Sequence, residues 1–236
     1  MTRALVLTAL DLEARTLARH LELPLVPGSR GARFANSALE VVAVGLRAIH
    51  IDTRTAGTHP DLVVSAGVCG GLAPGLTSGT LVVPDVVLAA DGSRLVPARV
   101  HALDPRGTLA TARDLVATAA DKARLHLHTG AIAVDMESAP ILAWAAARGW
   151  PAFVVRAVAD SSERAVPRDL SALIDDDGRV HPLRALRTAL ARPGAIPDAL
   201  ALRAGTEAAL LTVARALARL VAGGAAAPAG HGVPGA

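Results

Sequence analysis

Apolar positions recur along this chain in two rhythms, short continuous runs and one-sided helical spacing, and their order predicts alternating strands and helices. Residues 4–9 form a continuous apolar run, the pattern of a central strand buried on both faces. Leu10, Ala14, Leu17, Ala18 and Leu21 then share one face at 3.6-residue spacing, which predicts a helix over 11–21. Residues 27–31 read as a turn, 33–36 with 39–43 as a hairpin, and 48–57 as a helix opened by Gly45-Leu46-Arg47. A third strand over 61–65 runs into a small-residue loop over 66–76. A β-rich run spans 80–89, with 95–100 as its expected partner.

The second half opens on two helical pieces, 109–114 and 119–128, joined by 115–117 read as a short strand. A strand over 131–134 meets a polar break. A helix under Pro140-Ile141-Leu142-Ala143-Trp144 follows and ends at Arg148-Gly149, and a strand over 152–159 stops at Asp160. Beyond it come a loop to Pro167, a solvated acidic turn at 175–178, a helix over 182–192 and a longer amphipathic helix over 198–221. The pattern predicts one α/β domain over 1–222, a twisted mixed sheet flanked by helices. The Gly, Ala and Pro of 223–236 predict a disordered tail.

Composition narrows the classes. Hydrophobic residues make up 52% of the 236 but aromatics only 2%, so the core has to be built from Ala, Val and Leu. No uncharged apolar stretch reaches the roughly 18 residues of a membrane span. The N-terminal run is broken by Asp11 and Glu13 too early for a secretory signal, so a cytoplasmic protein is expected. Cys69 stands alone, which excludes an intramolecular disulfide and a cysteine zinc cage. His126 and His128 lie two apart and cannot face one metal from a helix, so no metal is expected. The formal charge is +3, carried by scattered arginines and a single lysine, Lys122, without interleaved rings. Nucleic acid is therefore not an expected partner.

Chemistry gathers where strands end. Asp135 and Glu137 follow the 131–134 strand and Asp160 follows 152–159, at the carboxyl ends where open α/β sheets place ligands. Each also reads as an ordinary cap or turn residue. Glu13 sits in a helix first turn, where the dipole favours an acid, and equally at the carboxyl end of the first strand. Gly45 and Arg47 at a helix start read as an anion pocket or as solvated surface. The 66–76 loop lets backbone pass close to a ligand, but it has neither the P-loop lysine nor the dinucleotide spacing. Cys69 reads as a small filler within it.

The run Val134-Asp135-Met136-Glu137-Ser138, with three further segments, resembles the purine and uridine phosphorylase and methylthioadenosine nucleosidase superfamily. The other segments are Ala9-Leu10-Asp11-Leu12-Glu13, Gly67-Val68-Cys69-Gly70-Gly71-Leu72-Ala73-Pro74, and Phe153-Val154-Val155-Arg156-Ala157-Val158-Ala159-Asp160. Ser162 to Pro167, Asp177-Gly178-Arg179 and Arg192 to Pro197 look like the hopanoid-associated phosphorylase branch, which is thought to release adenine from adenosylhopane. The resemblance implies a three-layer sandwich, a homo-oligomer, and no cofactor beyond phosphate as co-substrate.

It also implies site roles. Asp160 would share a proton with N7 of the departing base, a general-acid role that an apolar strand end favours by raising the carboxyl pKa. Glu137 would accept hydrogen bonds from the ribose hydroxyls, with Met136 against the sugar or in the core. Glu13 matches the water-activating base of the nucleosidases. Gly67 and Val116 are the candidates for base or loop contact, and Gly45 and Arg47 for phosphate. Ser65, Val68 and Ala159 depart from the family pattern, which has arginine, serine and serine there. The leading expectation is phosphorolysis of an adenine nucleoside. Hydrolysis of methylthioadenosine or S-adenosylhomocysteine is the alternative, and a non-catalytic nucleoside-binding protein is the third reading.

Overall fold

The computed structural model describes residues 3–29, 31–166 and 196–223. The expected acidic turn at 175–178, the helix over 182–192 and the tail beyond 223 lie outside the described residues. Ten strands join in one mixed sheet. They are β1 (Ala4–Thr8), β2 (Arg33–Ala35), β3 (Leu39–Ala43), β4 (Leu62–Gly71) and β5 (Leu81–Val82). The second half adds β6 (Val86–Leu88), β7 (Arg94–Leu95), β8 (Thr108–Thr111), β9 (Ala133–Asp135) and β10 (Ala152–Asp160). The helices are α1 (Asp11–His20), α2 (Ile51–Arg54), α3 (Ala119–Thr129), α4 (Ser138–Ala146) and α5 (Ile196–Ala222), with a 3-10 turn at Leu46–Ala48.

The strand order is β2-β3-β1-β4-β9-β8-β6-β7, and β10 pairs with β4 and β5. The centre is parallel: β1 lies between β3 and β4, and β4 pairs with β10 from Val63↔Ala152 onward. Alternation along these strands separates two cores. Val6, Val41, Val64 and Val155 pack with Ala14 and Leu17 of α1 and Val213 and Leu217 of α5. Leu5, Leu7, Val42, Val63 and Val154 face the other way, onto Ile141, Leu142 and Ala145 of α4. The sheet is thus flanked by helices on both faces, as the α/β, three-layer reading expected.

Several expectations need correcting. Residues 109–114 do not form a helix: Leu109 and Ala110 are buried in β8, paired in parallel with β6 and β9. An apolar run this short does not tell strand from helix by its period. Residues 115–117 form no strand. The expected helix over 48–57 shrinks to α2, because Gly45, Arg47 and Ala48 all take positive φ and interrupt the chain. Pro84 lies between β5 and β6, so the run over 80–89 is two short strands, and of its expected partner 95–100 only Leu95 pairs, together with Arg94 before it. The small-residue loop is largely strand, since β4 continues through Gly67 to Gly71.

α5 lies directly on the end of β10 that bears Asp160. A Cβ placed on Gly205 would overlap the carbonyl oxygen of Ala159, which also accepts from Ser78 Oγ at 2.7 Å. Gly205→Ala should therefore destabilise the fold by about 1–3 kcal/mol through overpacking. In an unconstrained helix interior the same change stabilises by about 0.5–1 kcal/mol. Urea unfolding of the variant reads the sign directly, and a gain in stability would show that α5 does not press on Ala159.

Candidate active site

Three chain segments bring four acids to the second half of β4. Glu13 comes from the first turn of α1, just past β1. Asp135 and Glu137 lie at the end of β9 and the start of α4, and Asp160 ends β10 opposite Gly70. These side chains line one pocket together with Val68, Met136 and Val116. Gly67 does not line it. A Cβ there would lie 2.6 Å from Glu13 Oε1 and 2.8 Å from Arg156 Nη1, so the missing side chain makes room for that acid and that base. Gly67, expected at base or loop contact, lies in β4 beneath the charged groups.

Arg156 holds the floor. It is fully buried in the middle of β10. Its Nη2 donates to Ser65 Oγ at 2.8 Å and lies 2.9 Å from Asp135 Oδ2, while Nε donates to Ser138 Oγ at 3.3 Å. Nη1 is 3.9 Å from Glu137 Oε2. Family resemblance put an arginine at Ser65; here the guanidinium reaches that point from the neighbouring strand. Burial alone would favour the neutral arginine, but the carboxylates outweigh it and hold the guanidinium charged.

The three acids around Arg156 are not equivalent. Glu13 accepts three backbone N–H groups, from Ala9, Leu10 and Val68, each at 3.0 Å. The first two serve as a helix cap, so the capping and chemical readings of Glu13 coexist. Asp135 accepts from Thr111 Oγ1 at 2.8 Å and Ser138 N at 3.0 Å, in addition to Arg156. Glu137 accepts the Arg47 N–H at 3.1 Å. Burial pushes the Glu137 carboxyl up to about 7, opposed by Arg156 and reinforced by Asp135 and Glu13. Glu137 is the acid of the three with the fewest donors.

Gly45 and Arg47 serve this site through the backbone. Gly45 takes a φ of 82° and donates to Ala9 O, and the turn it opens aims the Arg47 N–H at Glu137. The Arg47 side chain is exposed, and Leu46 lines the pocket in its place. Asp160 is buried and ion-paired with Lys122. Burial raises the Asp160 carboxyl, and the Lys122 ammonium pulls it back. Burial likewise pushes the Cys69 thiol up, so it stays protonated and fills space in β4. Among the described residues no His/Cys/Asp/Glu group is arranged to hold a metal, and no helix is long and apolar enough to cross a membrane.

Arg156, Lys122 and Asp135 were missing from the expected roles, although each left a trace. Arg156 interrupts an otherwise apolar strand run, and Lys122 is the one lysine in an arginine-rich chain.

The chain is similar to known proteins in sequence and in fold. Residues 97–190 match the family described as the Phosphorylase superfamily. The futalosine hydrolase of Streptomyces coelicolor is 31% identical over 226 residues, covering 76% of this chain and 95% of that protein. Among solved structures, a mutant 5′-methylthioadenosine nucleosidase of Helicobacter pylori, with 5′-methylthioadenosine in its active site, superposes with a TM-score of 0.69. It is 14% identical and covers 94% of this chain and 99% of its own. Futalosine hydrolase of Helicobacter pylori gives a TM-score of 0.68 at 15% identity, covering 94% of this chain and 98% of its own. At such identities these two speak for the fold.

The Glu137 proton generates a test of the site's electrostatics. In an unfolded chain this carboxyl ionises near 4.5 and in the folded protein near 7. Between those values the folded state holds a proton that the unfolded chain has released, so the Glu137 contribution to stability falls as pH rises across the window. Glu137→Gln has no proton to lose there. Urea unfolding of both proteins at about pH 5 and about pH 8 should show wild type losing stability relative to the variant at the higher pH. An unchanged difference would mean that Glu137 is already ionised throughout.

Proposed function

This chain belongs to the phosphorylase superfamily, and from that premise we propose that it hydrolyses the N-glycosidic bond of a purine nucleoside. One observation carries the choice of water over phosphate. Among the described residues that line the pocket, the ionisable groups other than Cys69 are all acidic: Glu13, Asp114, Asp135, Glu137 and Asp160. Arg156 lies behind them, committed to Asp135, Glu137 and two serines. A phosphate dianion entering this pocket meets like charge, whereas a ribosyl group gaining positive charge meets opposite charge. The sequence-based expectations of phosphorolysis and of adenosylhopane give way to hydrolysis on this ground, with the name of the Streptomyces relative making futalosine the first substrate to assay.

The residues divide the reaction. Asp160, raised by burial, carries the proton that passes to N7 of the base as the C1′–N9 bond breaks, so the base leaves neutral. Glu13, oriented by three backbone N–H donors, takes a proton from the water whose oxygen bonds to C1′. Glu137 has one oxygen fixed by the Arg47 N–H and accepts from the ribose hydroxyls with the other. Met136 and Val116 supply apolar wall. The products are a free purine and a free sugar.

Base release from futalosine and from 5′-methylthioadenosine should proceed with or without phosphate, and mass spectrometry should find a sugar without phosphate. A sugar 1-phosphate formed only when phosphate is present would return the reading to phosphorolysis. Asp160→Asn and Glu13→Gln should each lower kcat by about 10²–10⁴-fold with the circular dichroism spectrum unchanged. Full activity in either variant removes that residue from its role.

A further inference from the structure

Lys122 has no part in the steps above, yet it touches the proton donor. It is the one buried residue of α3, with no exposed surface at all. Lysines ordinarily keep the ammonium in water even when the stem is covered, and a buried ammonium is costly unless every N–H finds an acceptor. Here each does. Nζ donates to Asp160 Oδ2, to Ser161 O at 2.7 Å and to Arg164 O at 2.8 Å. The two carbonyls belong to the segment that leaves Asp160 and reaches Val166, whose side chain lines the pocket and whose N–H donates to Ala117 O at 2.8 Å. One ammonium therefore ties the acid, the pocket wall after it and the start of α3 together.

We propose, resting on the hydrolase reading of this site, that Lys122 is the positioning residue of the proton donor: by occupying Asp160 Oδ2 and anchoring Ser161 and Arg164, it presents Oδ1 to the departing base. Among the described residues Oδ1 has no hydrogen-bond partner, so the proton to be transferred rides on that oxygen. In the step itself the Asp160 O–H bond breaks and an N–H bond forms on the base. The electron pair of the C1′–N9 bond stays with the base. Lys122 faces the new carboxylate, which lowers the cost of giving the proton up.

The charged and titratable groups around Asp160 are Lys122 from α3, Arg164 from the following segment, Cys69 from β4, and Asp135 and Asp114 across the pocket. Only the two cations pull the carboxyl down, with Lys122 ahead of Arg164. Removing the ammonium leaves burial opposed by Arg164 alone, so the acid keeps its proton to higher pH.

Lys122→Met and Lys122→Arg in the full chain separate positioning from packing. Carbon-13 NMR of labelled aspartate, assigned with Asp160→Asn, follows the Asp160 carboxyl without any substrate. In Lys122→Met its midpoint, and the alkaline limb of kcat/KM, should move up by about one pH unit or more, with kcat at least about tenfold lower. In Lys122→Arg the charge is kept but a planar fork cannot reproduce the three-way grip, so kcat should fall while the midpoint stays near wild type. A folded Lys122→Met with midpoint and limb unmoved overturns the proposal, as does Lys122→Arg with wild-type kcat. Should Lys122→Met not fold, the arginine variant decides. If wild type cleaves no nucleoside, the hydrolase reading fails on its own, and the NMR midpoint still reports whether Lys122 governs Asp160.

Discussion

Arg156 is the charge on which the rest of the site depends. A guanidinium fully buried in a central strand is tolerable only when its donors are matched, and Asp135, Ser65, Ser138 and Glu137 surround it. Removing one partner of such a buried pair costs about 3–5 kcal/mol, because the other is left uncompensated. The arrangement therefore couples the fold to the chemistry. β10 supplies the cation, the β9–α4 junction supplies two of its acids, and α1 brings a third, so the strands and helices that build the pocket are held in place by the groups that work in it.

From that single cation follows a ranking of the acids. Several donors converge on Glu13 and on Asp135, whereas Glu137 has one backbone N–H and a more distant guanidinium, and burial raises its carboxyl to about 7. Asp160 stands apart, beyond the reach of Arg156 and under the control of Lys122. Burial raises both Glu137 and Asp160, and a different buried cation opposes it at each, Arg156 at one and Lys122 at the other.

The backbone makes these approaches possible. Gly67 leaves the space in which Glu13 and Arg156 come together, and Gly205 lets α5 lie against Ala159 just before Asp160. The turn at Gly45 points the Arg47 N–H inward while its side chain points away. The arginine expected at phosphate from its place at a helix start instead holds Glu137 through its main chain.

What the sequence determined by itself was the layered architecture and the identity of the strand-end acids. Apolar runs such as 4–8 and 152–159, the second broken only by Arg156, fit strands buried on both faces, and charged residues that follow them fall at the carboxyl end of the sheet. Short elements escaped, since four residues such as Thr108–Thr111 carry too little pattern to separate strand from helix, and positive φ at Arg47 and Ala48 leaves no mark in their side chains. Tertiary structure alone decided the partners. Lys122 and Asp160 are 38 positions apart, and Arg156 and Ser65 are 91 apart. Which acid keeps its proton depends on how many donors converge on it from distant strands, a property of three-dimensional proximity and burial that no local spacing encodes.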